Sequence, residues 1–456
     1  MRLPYKLLLL TLLAVVVYLP GLKAGYFVFD DSDIVFGLQG RDFRFAGLFS
    51  GDTGTYWRPL VIASYMIDAA LWNLDAAIMH LENILLHALN ALLVYTAARI
   101  ILDDDRHDLP LLAATLFALH PINTEAVNWI SGRTDPLATF FCLAGICFLL
   151  RWEKNQTRVG NCYAAGFFFF IGCLAKEVAF GMFAGAFLFC VIHPFVSDGR
   201  EAGGRTRLQA ILPFLFFAFL YLKVRSLVFS RNDYGIEKIV KRSIDTPLLA
   251  QTGDALTALG FYVKKLLVPT PLTFAIDTVS EGYLWLGAAI VVAALAVLLL
   301  RLKSASLFLL VPAAIAPALL NAIHRIAWTA YAERYLYLPA ALLVVAFCSL
   351  LHTLADQRKA CLILLGILFI YYLPVTVRRN LLWADQDSFL RLAVDQAPEN
   401  VQLRNNYGVV LATFVNLDEA RRQFEIAGSL DPDNELVKIN REKYRTVSSL
   451  AGEKAE

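Results

Sequence analysis

Two adjacent acids, Asp30 and Asp31, follow an aromatic run directly after the first hydrophobic segment of the chain. With Asp33 they place three carboxylates where a membrane helix would open onto water. Ionisable groups in such a place are costly to desolvate, so they indicate chemistry or ion binding. Asp30 and Asp31 are both candidates for a general base and, if a metal takes part, for its ligand. Either acid is also a candidate N-terminal cap for a following helix.

Basic and other polar residues form further short clusters along the chain. Arginine suits a phosphate because its guanidinium fork binds two oxygens at once. A carboxylate base beside such cations fits the transfer of a group from a phosphate to a hydroxyl. The candidate phosphate ligands are Arg58, Lys176, Arg325 and Arg334. The candidate supporting residues are Tyr56, His120, Glu125, Arg133, Asp135, His324 and Glu333.

These residues have structural alternatives that the sequence leaves open. His120 precedes a proline and fits a helix end at the membrane interface. Local pairing is the alternative for two sets of neighbours, Arg133 with Asp135 and Glu333 with Arg334. A short polar turn is the alternative for Lys176 and Glu177.

The composition is typical of a membrane protein. Hydrophobic residues make up 58% of the chain and charged residues 18%, against roughly 45–50% and about 25% in soluble domains. A net charge of +2 creates no field that would attract nucleic acid, so we expect no such partner. The sequence has no phosphate-binding loop, dinucleotide fingerprint or HExxH helix, which argues against an ATP-driven pump or a metalloprotease. Its seven cysteines include no CxxC pair and fit small core residues.

Apolar segments recur along most of the chain. A membrane-spanning helix needs about 20 mostly apolar residues, and about eleven segments approach that criterion. They lie near residues 6–22, 78–101, 109–120, 136–152, 162–174, 178–195, 207–229, 284–300, 304–320, 336–353 and 360–377.

The loops between these segments predict the topology. Each predicted inner loop carries arginine or lysine, which places the N-terminus in the cytoplasm and the C-terminal end on the outer side. Residues 59–72 and 246–268 are apolar stripes in the outer loops, and we predict that they lie flat as interfacial helices. We divide the chain into a membrane domain, residues 1–377, and a helical tail, residues 378–456.

The tail matches the tetratricopeptide (TPR) pattern over residues 401–432. Tyr407, Gly408 and Leu411 fit the packing face of a first helix, and Ala420, Phe424 and Ala427 fit that of a second. The preceding turn repeats the pattern at the 34-residue period of this motif. Since a free-standing array needs about three repeats, we expect this short one to pack on the membrane domain or on a partner.

Together these stretches resemble the transmembrane and TPR repeat-containing O-mannosyltransferases and their bacterial relatives. The resemblance rests on Phe29-Asp30-Asp31, Tyr56 to Leu60, His80 to Asn83 with His87, Leu119 to Asp135, Ala175 to Glu177, and Ala332 to Pro339. The family implies a GT-C fold with an active site at the outer membrane face. It also implies a polyprenyl-phosphate sugar donor, usually a Ser or Thr acceptor, and a catalytic base or metal ligand at Asp30 or Asp31. By the same resemblance Arg58, Lys176, Arg325 and Arg334 face the donor phosphate.

The sequence therefore predicts an all-α polytopic membrane protein with a short C-terminal TPR. We expect an inverting transferase that moves a sugar from a polyprenyl phosphate to a hydroxyl, with Mg²⁺ or Mn²⁺ as an optional cofactor. The expected partners are the lipid-linked donor, membrane lipid, and an acceptor protein or glycan that the TPR engages. A glycolipid or polysaccharide acceptor is the first alternative, and a transporter, flippase or non-catalytic scaffold is the second. With no Asn-x-Ser/Thr sequon on the outer side, a bacterial inner membrane with a periplasmic tail is favoured over the endoplasmic reticulum.

Overall fold

The computed structural model describes residues 3–38, 48, 56–102, 108–196, 204–229, 247–299, 305–353, 358–413 and 416–453. Within these ranges the chain is helical, apart from turns and one isolated β-bridge between Ile276 and Tyr331. The helices before residue 384 are α1 (Leu3–Tyr18), α2 (Asp31–Leu38), α3 (Pro59–Trp72), α4 (Ala76–Leu102), α5 (Asp108–Ala118), α6 (Thr124–Asn128), α7 (Thr134–Lys154), α8 (Gly160–Ala175), α9 (Gly181–Val196), α10 (Gly204–Phe229), α11 (Leu248–Leu267), α12 (Tyr283–Leu299), α13 (Ala305–Phe308), α14 (Leu310–His324), α15 (Tyr337–Thr353) and α16 (Arg358–Trp383). The helices that follow, here called the tail, are α17 (Gln386–Gln396), α18 (Val401–Thr413), α19 (Leu417–Leu430) and α20 (Glu435–Glu453).

Each predicted spanning segment overlaps a helix of the structure. Among the described residues, seven helical segments are long and apolar enough to cross a membrane: Leu3–Lys23, Ala76–Leu102, Ser131–Lys154, Arg207–Phe229, Ser306–His324, Glu333–Leu351 and Ile363–Trp383. The other four predicted spans correspond to shorter apolar helices, Leu109–Ala118, Gly160–Ala175, Glu177–Ile192 and Tyr283–Ala296. The chain is therefore a multi-pass helical membrane protein, as predicted, while the count of about eleven spans stays a prediction.

The two predicted interfacial stripes are also helical. Residues 59–72 form α3 and most of residues 246–268 form α11. Helix α11 crosses α12 at backbone contact, because a Cβ on Gly287 would collide with the Leu256 carbonyl and one on Gly260 with the Tyr283 carbonyl. Small residues allow such close crossings in membrane proteins. This crossing anchors the helix that carries Lys265.

The tail is attached to the membrane half through an aromatic cluster. The Phe27 ring lies 5.0 Å from Trp383 and 5.3 Å from Phe389, and Trp383 lies 4.2 Å from Phe389. Aromatic pairs of this kind contribute about 0.5–1.5 kcal/mol each beyond their burial. The loop that carries Asp30 is thus fixed against the start of the tail.

Within the tail, α18 and α19 pack as a hairpin through the predicted faces. Tyr407 and Leu411 of α18 are buried, as are Ala420, Phe424 and Ala427 of α19. Gly408 lies under the Phe424 ring, where a Cβ would stand only 2.7 Å from the nearest ring carbon. The predicted packing face is confirmed, and the assignment of the hairpin to the TPR class stays a prediction. Residue 377, the predicted end of the membrane domain, lies inside helix α16, which continues to Trp383. The first helix of the tail begins at Gln386.

Candidate active site

A polar cavity of about 350 Å³ opens where the first loop, the membrane helices and the tail meet. It brings together residues that lie more than 350 positions apart in the sequence, from Asp30 to Gln402. The lining residues are Asp30, Tyr56, Arg58, Trp129, Ser131, Thr134, Lys176, Ile326, Ala327, Trp328, Arg334, Tyr335 and Gln402. As the candidate active site, it is called the catalytic cavity below.

Asp30 is the only acid among the described residues that line this cavity. Its backbone is left-handed, with φ at 56°, a conformation that few residues other than glycine, asparagine and aspartate adopt readily. The carbonyls on either side of it are fixed, since the Trp129 indole donates to Phe29 O at 3.2 Å and Ile34 N–H donates to Asp30 O at 3.0 Å. Such backbone outliers cluster at functional sites because the surrounding structure must impose them.

Asp31 faces away from the cavity and is completely buried. One carboxylate oxygen accepts from Phe27 N–H at 2.8 Å, and the other accepts from the backbone N–H and the hydroxyl of Ser131. Burial raises the pKa of Asp31 to about 7, although these three hydrogen bonds oppose the shift. Asp31 therefore joins the first loop to the loop before α7, and the structure separates the two acids that the sequence left equivalent.

Side chains of helix α4 form hydrogen bonds to the first loop and to the loop before α7. The His80 ring bonds to Gly25 O at 2.8 Å, and the Asn83 amide donates to Trp129 O at 2.9 Å. Arg133 in turn donates to Asn83 at 2.9 Å and pairs with Asp68 at 2.5 Å. The polar residues of this membrane helix position the cavity rather than line it.

Arg58 directly precedes α3 and is the first of three cations that line the cavity. Its guanidinium donates twice to Glu177, from Nε at 3.1 Å and Nη2 at 3.0 Å. The ring of Tyr56 lies 4.3 Å from the guanidinium carbon. Glu177 also pairs with Arg225 at 3.5 Å, so one carboxylate orients two arginines.

Lys176 is the second cation and lies in the turn between α8 and α9. Its ammonium contacts the Asp135 carboxylate at 2.5 Å and lies 5.1 Å from the centre of the Tyr335 ring. Burial lowers the pKa of Lys176 to about 8, with Arg58 and Arg334 adding to the decrease and Asp135 opposing it. Lys176 therefore stays a cation near neutral pH and loses its charge in mildly alkaline solution.

Arg334 is the third cation and precedes α15. It pairs with Glu125 of α6 at 2.5 Å, across 209 positions of sequence. Its guanidinium carbon lies 5.2 Å from the Trp129 ring and 5.1 Å from the Tyr335 ring. Burial raises the pKa of Glu125, while the arginine opposes that shift.

The three cations share one arrangement, since each is held from behind by its own carboxylate. None of those three carboxylates is among the lining residues, whereas all three cations are. A cation fixed in this way needs little reorganisation when an anion arrives. The geometry can therefore bind a phosphate close to a single carboxylate.

Several residues that the sequence singled out lie outside the lining. Arg325 directly follows α14 in a left-handed conformation with φ at 47° and is exposed, and His324 is the last residue of that helix. His120 is buried, accepts from Ile122 N–H at 3.2 Å through Nδ1 and contacts Leu266 O at 3.0 Å through Nε2. Since Nδ1 accepts, we infer that Nε2 carries the proton, and burial lowers the pKa of His120 to about 4.

Neither of the two local ion pairs that the sequence left open is formed. Arg133 pairs with Asp68 and Glu82 and not with Asp135, which holds Lys176. Glu333 pairs with Lys265 at 2.5 Å and accepts from Thr273 N–H at 2.9 Å, while its neighbour Arg334 turns to Glu125. The neighbours Glu333 and Arg334 therefore pair in different directions, each with a residue that is distant in the sequence.

The lining includes residues that sequence reasoning did not single out as site residues, among them Trp129, Trp328 and Gln402. Trp129 lies within the stretch from Leu119 to Asp135 that contributes to the family resemblance, but its own side chain was not singled out. Trp328 and Gln402 carried no local signal, because they reach the cavity only through the docking of residues 326–328 and of the tail. Glu177 lies behind the lining and was recognised only as a neighbour of Lys176.

The described residues do not form a metal cage. No three His, Cys, Asp or Glu side chains among them are grouped closely enough to hold an ion. Within the described lining, one carboxylate faces three cations, which is a poor donor set for Mg²⁺ or Mn²⁺.

The chain is thus a multi-pass helical membrane protein. Its candidate active site is a cavity with three cations suited to an anion, lined by residues at helix ends and in loops. No family model matches the chain. Its curated relatives are protein O-mannosyl-transferases, as the sequence resemblance implied.

The relatives include F38B6.6 of Caenorhabditis elegans, 25% identical over 94% of this chain and 63% of the relative. Mouse (Mus musculus) TMTC1 is 31% identical over 36% of this chain and 18% of the relative. Tmtc1 of Drosophila melanogaster is 29% identical over 33% of this chain and 18% of the relative. The chain thus spans less than two thirds of each of these relatives. All three are animal proteins, and they give no support to a bacterial origin.

Among solved structures, the chain is similar to an Archaeoglobus fulgidus oligosaccharyltransferase tethered with an acceptor peptide. The TM-score is 0.43 at 14% identity, over 88% of this chain and 58% of that one.

Proposed function

We propose that this protein is a GT-C-type glycosyltransferase that moves a sugar from a polyprenyl phosphate to a Ser or Thr hydroxyl of an acceptor protein. The observation that carries the proposal is the catalytic cavity, in which one acid on a strained backbone faces three anchored cations. The names of the curated relatives support the reaction class.

In the proposed reaction Asp30 removes the proton from the acceptor hydroxyl. The resulting oxygen attacks the anomeric carbon of the sugar from the face opposite the phosphate. The bond between that carbon and the phosphate oxygen breaks, and its electron pair leaves with the polyprenyl phosphate. A single displacement of this kind inverts the anomeric configuration.

Arg58, Lys176 and Arg334 hold the departing phosphate in this scheme. Charge builds on the phosphate as the bond breaks, and prepositioned cations in a cavity of low dielectric stabilise it strongly. The aromatic walls, Trp129, Trp328 and Tyr335, provide flat apolar surfaces for the sugar. The three cations supply the positive charge that a divalent metal would otherwise supply, so we propose no metal-dependent step.

We propose that the N-terminus lies in the cytoplasm and that the cavity and tail lie on the opposite membrane face. This orientation follows from the basic residues of the predicted inner loops. It corresponds to the periplasmic face of a bacterial inner membrane or to the lumen of the endoplasmic reticulum.

The test uses the full chain purified in detergent with a panel of short-chain polyprenyl-phosphate sugars and a Ser/Thr-containing peptide. Mass spectrometry should detect released polyprenyl phosphate together with a glycopeptide for one donor. Sugar on co-extracted lipid or polysaccharide, with none on peptide, would show that the acceptor is a glycan or lipid. Absence of release from every donor by well-folded protein would contradict the proposal and favour a transporter or a scaffold.

A further inference from the structure

A second cavity, of about 500 Å³, lies beside the catalytic one. It is formed by the end of α11, by the loop that follows α11 and by the turn between α17 and α18. Its lining includes Lys264, Thr273, Asp277, Thr278, Val279 and Glu399. None of the lining residues is shared with the catalytic cavity.

Two pieces of backbone run between the two cavities. Arg334 lines the catalytic cavity, whereas its neighbour Glu333 bonds to Lys265 and Thr273, which both line the second one. In the tail, Asn400 lines the second cavity and Gln402 the catalytic one. Two residues of extended chain span at most about 7 Å. The backbone from Asn400 to Gln402 therefore separates the two cavities by a short distance.

The walls of the second cavity are fastened to one another. The Asn400 amide donates to Asp277 at 2.8 Å, and the Gln396 amide donates to Leu272 O at 3.2 Å. Both bonds join the tail to the loop after α11. The second cavity therefore lies at the hydrogen-bonded interface between the tail and the membrane half.

The chemistry of the lining is mixed. Val279 and the rings of Phe261 and Tyr283 provide apolar surface, while Thr278 and Glu399 provide polar groups. A polyprenyl chain would leave those polar groups without partners, which is unfavourable. A polypeptide satisfies both, because it alternates amide groups with side chains. An extended peptide advances about 3.3 Å per residue, so a few residues beside the reacting hydroxyl would reach from one cavity to the other.

We propose that the second cavity binds the stretch of acceptor polypeptide that flanks the glycosylated Ser or Thr, and that Gln402 contacts this polypeptide where it enters the catalytic cavity. Gln402 is exposed and its side chain has no hydrogen-bond partner among the described residues. Its amide both donates and accepts, which matches a peptide group. This assignment rests on the proposed function.

The test compares a long acceptor peptide, of about ten residues, with a threonine blocked at both ends. The variant Thr278→Trp fills the second cavity with a bulky ring at an exposed position. The matched control is Thr252→Trp, at an exposed position of α11 outside both cavities. The readouts are the KM of each acceptor and the slow hydrolysis of the donor by water.

We expect Thr278→Trp to raise the KM of the long peptide about tenfold, the effect of losing one good contact, and to leave the blocked threonine and donor hydrolysis unchanged. Gln402→Ala should raise the KM of both acceptors, and Gln402→Asn should restore part of the loss. For Thr278→Trp, an equal effect on long and short acceptors, no effect on either, or a raised KM for the donor would overturn the assignment of the second cavity. Failure of the wild type to cleave any donor would instead refute the proposed function, so the two failures are distinguishable.

Discussion

The ion pairs of the catalytic cavity differ from those of the tail in their contact with water. Lys176 and Asp135 keep 7% and 3% of their side-chain surface exposed, and Arg334 and Glu125 keep 9% and 3%. In the tail, Arg421 and Glu425 keep 69% and 55%. The distance between the charged atoms does not distinguish the two groups, since Arg421 Nε lies only 2.9 Å from Glu425 Oε1.

The difference teaches what each group contributes. Exposed pairs stabilise a fold by about 0–1 kcal/mol because water screens them. Buried pairs must first lose their hydration, and replacing them with apolar residues is often neutral or stabilising. Stability therefore gives no reason for the buried pairs that hold Lys176 and Arg334 beside the cavity, whereas binding an anion does.

Among the ion pairs, removing one that borders the cavity should give the largest effect. The double variant Arg334→Met/Glu125→Gln takes away the cation without leaving a buried charge behind. Since one donor to the developing charge accounts for about 10²–10³ in rate, we expect a loss of that order in donor cleavage. The control is Arg133→Met, which removes a buried arginine outside the lining and should lower thermal stability more than the turnover of the folded fraction. Near-normal cleavage by the double variant would break the comparison.

Asp31→Asn should affect folding more than chemistry. An amide oxygen can replace only one of the two carboxylate oxygens that accept in the folded state, so we expect a loss of about 1–3 kcal/mol. The check is thermal unfolding in detergent, with turnover measured on the folded fraction.

The same variant has a pH signature. The folded-state pKa of Asp31 is about 7 and the unfolded value is about 3.9, so the folded state binds the proton more tightly. The stabilisation is complete below pH 4 and is lost as the pH rises towards 7. The difference in melting temperature between wild type and Asp31→Asn should therefore narrow between pH 4 and 7. A difference that widens over this range would contradict the assignment.

Lys176 should set an alkaline limb of activity. Because its pKa in the free enzyme is about 8, kcat/KM should fall above that pH, by about tenfold per unit for a single essential proton. Arginine keeps its charge, so Lys176→Arg should remove this limb even if its maximum is lower. Lys438→Arg in the exposed tail is the control and should keep the wild-type profile. Identical profiles for all three proteins would rule out Lys176 as the titrating cation.

The smallest effect belongs to the tail pair. Arg421→Ala removes an exposed i,i+4 partner of Glu425, for which we expect a change of at most about 0.5 kcal/mol in unfolding free energy. Turnover should stay at the wild-type level. A large loss of stability would show that exposure does not divide the two groups of ion pairs.

The sequence predicted the helices because hydrophobic length and turn signals are local properties. It also singled out Asp30, Arg58, Lys176 and Arg334, which line the cavity, because charges inside an apolar chain are conspicuous. It could not separate Asp30 from Asp31, since that depends on Ser131, a hundred positions away.

Long-range partners explain the remaining differences. Glu333 and Arg334 look like a local pair in the sequence, yet each finds a partner at least 68 positions away. Gln402 enters the cavity only because the tail docks on the first loop, which no local pattern encodes. Arg325 looked equivalent to the other cations, but the left-handed end of α14 leaves it outside the lining.

The most direct test of the central claim compares Asp30→Asn with Asp31→Asn in donor cleavage, each beside its melting temperature. Asparagine accepts the left-handed backbone of residue 30, so Asp30→Asn should melt like the wild type and lose activity by about 10²–10⁴-fold, the contribution of a general base. Asp31→Asn should melt earlier and retain cleavage in its folded fraction. Near-wild-type cleavage by folded Asp30→Asn would contradict the account and remove Asp30 from the role of base.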